Sequence, residues 1–222
     1  MIRLKGVTKY YPTLQGRKYI LRDVTLELPE KTNIGIIGRN GAGKSTLLRL
    51  LGRIDYPNRG RVETDLNISW PMGLAGGMQG SMTGRDNAAF VCRVYGSNTE
   101  EVREKLAFIY EFSELEDYFY MPVKSYSSGM RARLTFAMSM AFEFDLYLID
   151  ELTAVGDRRF KEKSKEALEE RKSRANFIMA SHNMQELLKG CDAGMFIHDG
   201  QLMLFDTMTE AVTAYDELRM AS

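Results

Sequence analysis

The 222-residue sequence has only two cysteines and two histidines, and it has no excess of basic over acidic residues. Its two cysteines, Cys92 and Cys191, are 99 positions apart, and neither has a second Cys or a His at metal-ligand spacing. This usage indicates neither a disulfide framework nor a zinc knuckle, and favours a reduced cytosolic protein. Lys and Arg number 30, as do Asp and Glu, so the chain has no net positive charge to attract nucleic acid. We therefore expect no nucleic-acid partner.

Long apolar runs are also missing. The most apolar stretches, 136–142 and 146–149, are far shorter than the roughly 18 residues that a membrane-spanning helix requires. Residues 1–5 alternate apolar and charged side chains, which is typical of a strand and not of a signal peptide. Any membrane role would therefore come through a partner protein.

Short apolar runs alternate with helical patterns, an order typical of an α/β protein with a mainly parallel sheet. We expect the early strands to be antiparallel and the later ones parallel. A histidine, His198, precedes Asp199-Gly200, which is a turn dipeptide between two predicted strands and indicates a hairpin. The strands are predicted at 2–8, 19–28, 33–37, 61–70, 144–149, 176–180, 194–198 and 201–205.

A helical insertion is predicted in the middle of the chain. Residues 71–84 hold five glycines and predict an irregular loop that leads into it. The segment 98–115 follows with apolar residues on one helical face, Asn98 as the N-cap and Glu101 placed to complete a capping box.

Residues 38–45, Gly-Arg-Asn-Gly-Ala-Gly-Lys-Ser, fit the phosphate-loop pattern. A predicted buried strand precedes them and a predicted helix follows. Such glycines let backbone N–H groups form an anion nest at the helix N-terminus. Lys44 would reach the β and γ phosphates of a nucleotide, and the hydroxyl of Ser45 would ligate Mg²⁺. The residues expected to contact the nucleotide here are Gly38, Asn40, Gly41, Ala42, Gly43, Lys44, Ser45 and Thr46.

A second predicted strand, 144–149, is followed by Asp150 and Glu151. Asp150 would hold the magnesium shell directly or through water, whereas Glu151 would polarise the water that attacks the γ phosphate. Two acids after a strand can also be only the solvated start of a loop. Their presence in one chain with a phosphate loop favours the catalytic interpretation.

Residues 126–134, Tyr-Ser-Ser-Gly-Met-Arg-Ala-Arg-Leu, resemble the signature motif of ATP-binding cassette (ABC) ATPases. Taken alone, Ser127 could be an ordinary helix N-cap. The resemblance implies that Ser127 and Gly129 bind the γ phosphate held by Lys44 of a second copy, so that two ATP molecules close a head-to-tail dimer.

Other motifs extend the resemblance over nearly the whole chain. His182, in Ser181-His182, is similar to the family's switch histidine, which contacts the γ phosphate. Asp157 matches the last residue of the loop that communicates between the two sites. Tyr11 resembles the aromatic residue that stacks on adenine, although Tyr10 could take this role and leave Tyr11 as a core residue.

Two departures from the family pattern are informative. The usual glutamine of the segment that senses the membrane partner is absent at its common spacing, nearest Leu74, and Gln79 lies about five residues later. Gln79 is therefore a candidate magnesium ligand, and the alternative is that it is an ordinary loop residue. Residues 67–71 and 77–87 resemble the capsule polysaccharide export ATPases of Gram-negative bacteria.

The resemblance implies an α/β phosphate-loop NTPase of the ABC type, with a mixed sheet, an N-terminal antiparallel part and an inserted helical subdomain. We expect one domain over 1–222, with its core in 1–72 and 131–222 and the helical part in 73–130. ATP and Mg²⁺ are the implied cofactors. The implied partners are a second copy and a membrane permease at the cytoplasmic face of the bacterial inner membrane, with the polysaccharide not bound directly. Alternatives are O-antigen export, teichoic acid export and a non-transport ABC ATPase.

Overall fold

The computed structural model describes residues 1–72, 78–150 and 157–220. Along the chain, strands and helices alternate after an initial hairpin, with short 3₁₀ turns at Glu116–Tyr120 and Val123–Ser125. The elements are β1 (Ile2–Thr13), β2 (Gly16–Leu28), β3 (Ile34–Ile37), α1 (Lys44–Leu51), β4 (Arg59–Thr64), α2 (Gly84–Val94), α3 (Thr99–Ser113), α4 (Ser128–Met140), β5 (Leu146–Asp150), α5 (Arg158–Lys172), β6 (Asn176–Ala180), α6 (Met184–Gly190), β7 (Ala193–His198), β8 (Gln201–Phe205) and α7 (Met208–Met220).

The chain divides into two compact units. The first comprises Met1–Pro71, Phe144–Glu151 and Arg174–Ser222, and the second Met72–Glu143 and Leu152–Ser173. The second unit thus extends beyond the 73–130 expected for the helical part. Helices α4 and α5 belong to it because their aromatic side chains pack with α3, as the rings of Phe112, Phe136 and Phe160 demonstrate.

Two sheets form the first unit. A three-stranded antiparallel sheet has the order β2-β1-β4, and a five-stranded sheet has the order β5-β6-β3-β7-β8. The predicted mixed sheet with an antiparallel N-terminal part is confirmed. The prediction that the later strands are all parallel is wrong for β8, which pairs antiparallel with β7. The turn residues Asp199 and Gly200 both have positive φ, 46° and 82°, as a two-residue hairpin requires.

The strand predicted at 61–70 ends early, at Thr64. Beyond it the chain contacts β5 instead, where Ile68 forms an isolated parallel bridge with Leu146. The hydroxyl of Ser69 accepts a hydrogen bond from the backbone N–H of Leu148, 2.8 Å. Strand β4 ends at Thr64 because that residue pairs with Ile2, where its partner β1 begins. The backbone of Asn67 and Ser69 then hydrogen-bonds to that of Asp145 and Leu146.

Helix α1 is fixed in the core of the first unit. Leu47, Leu48, Leu50 and Leu51 are each at most 1% exposed, and they belong to one buried cluster with side chains of both sheets. The helix begins directly after the loop at 38–43 and ends before Gly52. The packing therefore holds the first turn of α1 at a fixed position relative to β3.

The second unit is built from helices with side-chain caps. Asn98 caps α3 in the predicted capping box with Glu101, which is confirmed. The hydroxyl of Thr83 caps α2 and accepts from the backbone N–H of Asp86. Arg171, near the end of α5, donates to the backbone carbonyl of Met140 at the end of α4, 2.8 Å. Side-chain caps thus set where α2 and α3 begin, and the hydrogen bond from Arg171 joins α5 to α4.

Candidate nucleotide site

The loop between β3 and α1 has a backbone that only glycine adopts readily. Gly41 and Gly43 have φ values of +76° and +114°. At Gly43 a Cβ atom would lie 2.2 Å from Cγ2 of Ile20, so both the backbone angle and the available space require glycine. The predicted phosphate loop is therefore built as a tight turn against β2.

The side chain of Lys44 hydrogen-bonds to the backbone of the loop that precedes it. Its ammonium group donates to the backbone carbonyl of Gly38, 2.8 Å, and more weakly to that of Arg39, 3.4 Å. The backbone N–H of Ala42 also donates to the carbonyl of Arg39, 3.0 Å. These bonds hold the curved loop at the N-terminus of α1, where the helix dipole favours an anion.

A cavity of about 330 Å³ opens at this loop in the first unit. Four segments contribute to it: β2 through Ile20, the loop with the start of α1, the end of β5, and the end of β6 with the residues that follow it. The carboxyl ends of parallel strands meet at one edge of a sheet, which brings these distant segments together. The lining residues are Ile20, Asn40, Gly41, Gly43, Lys44, Ser45, Thr46, Asp150, Ala180, Ser181 and His182.

Ser45 and Asp150 face this same cavity. Asp150 is 8% exposed at the end of β5, and Ser45 lies in the first turn of α1. A hydroxyl and a carboxylate are ligands that Mg²⁺ accepts, and Mg²⁺ commonly takes only one or two protein ligands and completes its shell with phosphate oxygens and water. Within 1–72, 78–150 and 157–220 no group of three His, Cys, Asp or Glu could hold a metal alone. The donor set fits a magnesium–nucleotide complex better than a free metal.

His182 reaches the cavity from the loop after β6, and its neighbour Ser181 fixes this loop. The buried hydroxyl of Ser181 donates to Oε2 of Glu186, 3.0 Å, and accepts from the backbone N–H of Asn183, 3.0 Å. Asn183 in turn caps α6. Sequence reasoning did not assign a role to Ser181 or Glu186, although the Asn183 cap is a recognisable helix-start signal.

Neither Tyr10 nor Tyr11 is among the described residues that line the cavity. The hydroxyl of Tyr11 donates to Oδ2 of Asp55, 2.9 Å, and accepts from Arg49 of α1, 3.3 Å. The ring of Tyr10 instead packs against Tyr19, with ring centres 5.4 Å apart. The two candidates for adenine stacking thus have different surroundings, and the choice between them stays a prediction.

The signature residues lie at the start of α4 in the second unit. The hydroxyl of Ser127 accepts from the backbone N–H of Met130, 3.2 Å, so Ser127 is the N-cap, and Gly129 lies in the first turn. Ser127 therefore has the ordinary N-cap role that its sequence position also allowed. A capping hydroxyl at a helix N-terminus is also positioned beside a dipole that favours phosphate, so the two interpretations are compatible.

Asp157 is the N-cap of α5 in the second unit. Its carboxylate accepts from the backbone N–H of Phe160, 3.0 Å, and from the guanidinium of Arg133 in α4. The hydrogen bond from Phe160, together with the charge of Arg133, holds the pKa of Asp157 below its usual range. Arg133 also pairs with Glu114, 3.6 Å, and so connects the middle of α4 with the C-cap of α3 and the N-cap of α5.

Gln79 is exposed, in the segment before α2. Its backbone N–H donates to Oδ1 of Asn87, 2.7 Å, and its carbonyl accepts from Nδ2 of Asn87, 3.1 Å. Asn87 is 4% exposed and also donates to the carbonyl of Thr83. The backbone at Gln79 is thereby fixed and its side chain is left accessible. Leu74 and the predicted catalytic base Glu151 lie outside the described residues.

Among the helices of the described ranges, none is long and apolar enough to cross a membrane.

The ABC transporter family model matches residues 21–154, more than half of the chain. Polysialic acid transport ATP-binding protein KpsT of Escherichia coli is 50% identical over 91% of this chain and 90% of its own length. Capsule polysaccharide export ATP-binding protein CtrD of Neisseria meningitidis is 45% identical over 98% of this chain and 100% of its own.

A solved structure of a dimeric ATP-binding cassette bound to ADP and Pi has the same fold, with a TM-score of 0.72 and 22% identity over 91% of this chain and 98% of that one. The predicted resemblance and fold class are both confirmed. The chain therefore belongs to the ABC transporter family, and relatives at 45–50% identity over most of its length are ATP-binding proteins of polysialic acid and capsule polysaccharide export.

Proposed function

We propose that this chain is the ATP-hydrolysing subunit of an ABC transporter that exports capsular polysaccharide across the bacterial inner membrane. The observation that carries this proposal is the cavity that unites the phosphate loop with Asp150 and His182. The names of relatives at 45–50% identity supply the substrate class. O-antigen and teichoic acid export ATP-binding proteins match at only 33–34% identity, so they are the weaker alternatives.

The phosphate loop binds the triphosphate of ATP. Its backbone N–H groups and the dipole of α1 favour the anionic groups, and Lys44 neutralises charge at the β and γ phosphates. Gly38, Asn40, Gly41, Ala42, Gly43 and Thr46 complete the nucleotide contacts. Ser45, Asp150 and Gln79 are the proposed magnesium ligands. Bound Mg²⁺ would neutralise phosphate charge and orient the γ phosphate for in-line attack.

Glu151 accepts a proton from the attacking water, and His182 contacts the γ phosphate and orients it. The tie between Ser181 and Glu186 supports this role, because it restricts the loop that carries His182. Tyr11 is the proposed adenine-stacking residue, and its hydroxyl is held by hydrogen bonds with Asp55 and Arg49.

Hydrolysis needs a second copy of the chain. Ser127 and Gly129 of one copy bind the γ phosphate held by the other, and Asp157 communicates between the two sites. Solved structures with this fold are described as dimers, which supports the assignment. Closure around two ATP molecules, followed by release on hydrolysis, gives a two-state motor. We place it at the cytoplasmic face of the inner membrane, bound to a permease that handles the polysaccharide.

The purified chain tests the chemical part of the proposal. Glu151→Gln keeps the size of the side chain but cannot accept the water's proton, so we expect retained ATP binding, stalled hydrolysis and an ATP-dependent dimer on size exclusion. Lys44→Ala should lose ATP binding and remain monomeric. Normal turnover in Glu151→Gln would remove Glu151 from its role, and normal ATP binding in Lys44→Ala would remove the phosphate loop from its role.

A further inference from the structure

A second cavity, of about 250 Å³, lies beside the nucleotide cavity within the first unit. Its wall is formed by the phosphate loop, the end of β7 and the last turns of α7. The lining residues are Arg39, Phe196, His198, Tyr215, Leu218 and Arg219. None of them was predicted to contact the nucleotide, and His198 was interpreted only as part of a hairpin.

The charged side chains that line this cavity are two arginines, Arg39 and Arg219. Within the described part of the chain, neither Arg39 nor Arg219 takes part in an ion pair. The carboxylate nearest to the imidazole of His198 belongs to Asp199, 3.5 Å away, and it is 89% exposed. Two guanidinium groups therefore face one cavity without a partner carboxylate. Such groups bind phosphate oxygens in bidentate fashion.

The rest of the wall is aromatic. The ring of Phe196 lies edge-on to Tyr215, with centres 5.4 Å apart, and is stacked with the imidazole of His198 at 5.7 Å. The guanidinium of Arg219 lies 5.8 Å from the centre of the Tyr215 ring. Phe196 is 1% exposed and supports Tyr215 from behind. An aromatic ring next to unpaired cations suits a ligand that carries both a planar ring and an anionic group.

The cavity also adjoins the nucleotide site through the chain itself. Arg39 lines the second cavity and the next residue, Asn40, lines the nucleotide cavity. The carbonyl of Arg39 accepts from Ala42 and from Lys44. A ligand that orders Arg39 would therefore change the loop that holds the phosphates of ATP.

We propose that this second cavity is a regulatory site for a phosphate monoester with a planar ring, of the nucleoside monophosphate class. Arg39 and Arg219 bind the phosphate, and Tyr215 contacts the ring. Binding at the cavity stands independently of the proposed function, whereas its coupling to ATP affinity rests on that function.

Calorimetric titration of the full chain with adenosine monophosphate and with inorganic phosphate tests the site. We expect one adenosine monophosphate per chain in the wild type, and we expect binding to persist in Lys44→Ala. Arg219→Gln should weaken binding about tenfold or more. Tyr215→Leu should weaken adenosine monophosphate binding but leave phosphate binding unchanged. Arg22→Gln is the matched control, because Arg22 also lies over a tyrosine ring, 4.1 Å from its centre, but does not line the cavity.

Three outcomes would overturn the proposal: no binding to the wild type, binding that Arg219→Gln leaves intact, or binding that Lys44→Ala abolishes. The last would place the ligand in the phosphate loop. Thermal unfolding of each variant shows whether the fold is kept, and Arg219 is exposed, so its replacement does not disturb packing. An ATP titration of the same proteins reports on the proposed function separately.

Discussion

Lys9 and Asp55 form an ion pair of 2.6 Å in which the lysine side chain is only 7% exposed. The same carboxylate accepts from the hydroxyl of Tyr11, 2.9 Å, and from the backbone N–H of Tyr56, 2.8 Å. Arg49 of α1 donates to that hydroxyl, 3.3 Å. One carboxylate thus ties β1, which carries the proposed adenine-stacking residue, to the helix that follows the phosphate loop.

We expect Asp55→Asn to destabilise the fold by about 2 kcal/mol at pH 7, because Lys9 is left buried without its counter-charge. Partial burial acts to raise the pKa of Asp55, but hydrogen bonds from Lys9, Tyr11 and Tyr56 outweigh it, and the net pKa is lowered. The stabilisation is therefore present above the unfolded-state pKa, near 3.9. It is lost as pH falls through the lower folded-state pKa.

Urea unfolding of wild type and Asp55→Asn between pH 7 and pH 3 measures this difference. Glu27→Gln is a control from the exposed Arg3–Glu27 pair of the same sheet, 3.4 Å, and should cost less than about 1 kcal/mol. Equal costs for both substitutions, or a cost of Asp55→Asn that does not shrink towards pH 3, would contradict the role given to this ion pair.

A second prediction concerns the phosphate loop. Gly43→Ala places a Cβ against Ile20 at a φ of +114°, so the loop must distort and ATP affinity should fall about tenfold or more. Gly41→Ala is the matched control for backbone strain, because Gly41 also has a positive φ, +76°, but a Cβ there meets no atom within 4 Å. ATP titration of both variants decides the matter. A loss at Gly41→Ala as large as that at Gly43→Ala would mean that contact with Ile20 is not the cause.

The third prediction concerns Gln79. If its exposed side chain is a magnesium ligand, Gln79→Ala should lower the magnesium-dependent ATPase rate in the isolated chain and in the assembled transporter. Gln15→Ala, at an exposed hairpin position, serves as the control. An unchanged rate in Gln79→Ala would make Gln79 a loop residue, and water or another ligand would complete the metal shell.

A fourth prediction follows from the proposed division of roles between this chain and a membrane permease. The isolated chain should bind no capsular polysaccharide, because the three cavities found in the described residues, of about 330, 360 and 250 Å³, are of a size for small ligands and not for a polymer. Calorimetry with purified polymer measures this, with ATP as the positive control. Saturable polymer binding would assign part of the substrate specificity to the ATPase.

Local pattern was enough to predict much of the nucleotide site. The phosphate loop and the strand and helix around it form one contiguous segment, so Lys44 and Ser45 could be assigned without knowledge of the rest of the fold. Asp150 could be assigned from the strand that precedes it and from the phosphate loop in the same chain, whereas His182 required the resemblance to ABC ATPases. They face the cavity because parallel strands end at one edge of the sheet, which the chain order of the elements already implied.

Other features depend on contacts between distant residues and could not be predicted. Lys9 looks like a solvated strand residue, and its partner Asp55 is 46 positions away. The contact of Ile20 with Gly43 depends on the register of β2, which contains an irregularity near Leu21. The early end of β4 depends on where its partner β1 begins, because Thr64 pairs with Ile2, the first residue of β1.

The most direct test of the proposed function is polymer export by reconstituted vesicles that contain this chain and a candidate permease. Wild type with ATP should translocate lipid-linked capsular polysaccharide, and Lys44→Ala and Glu151→Gln should each stop translocation while leaving assembly with the permease intact. Export that continues at the wild-type rate with Lys44→Ala, or that proceeds without ATP, would contradict the assignment of this chain as the motor.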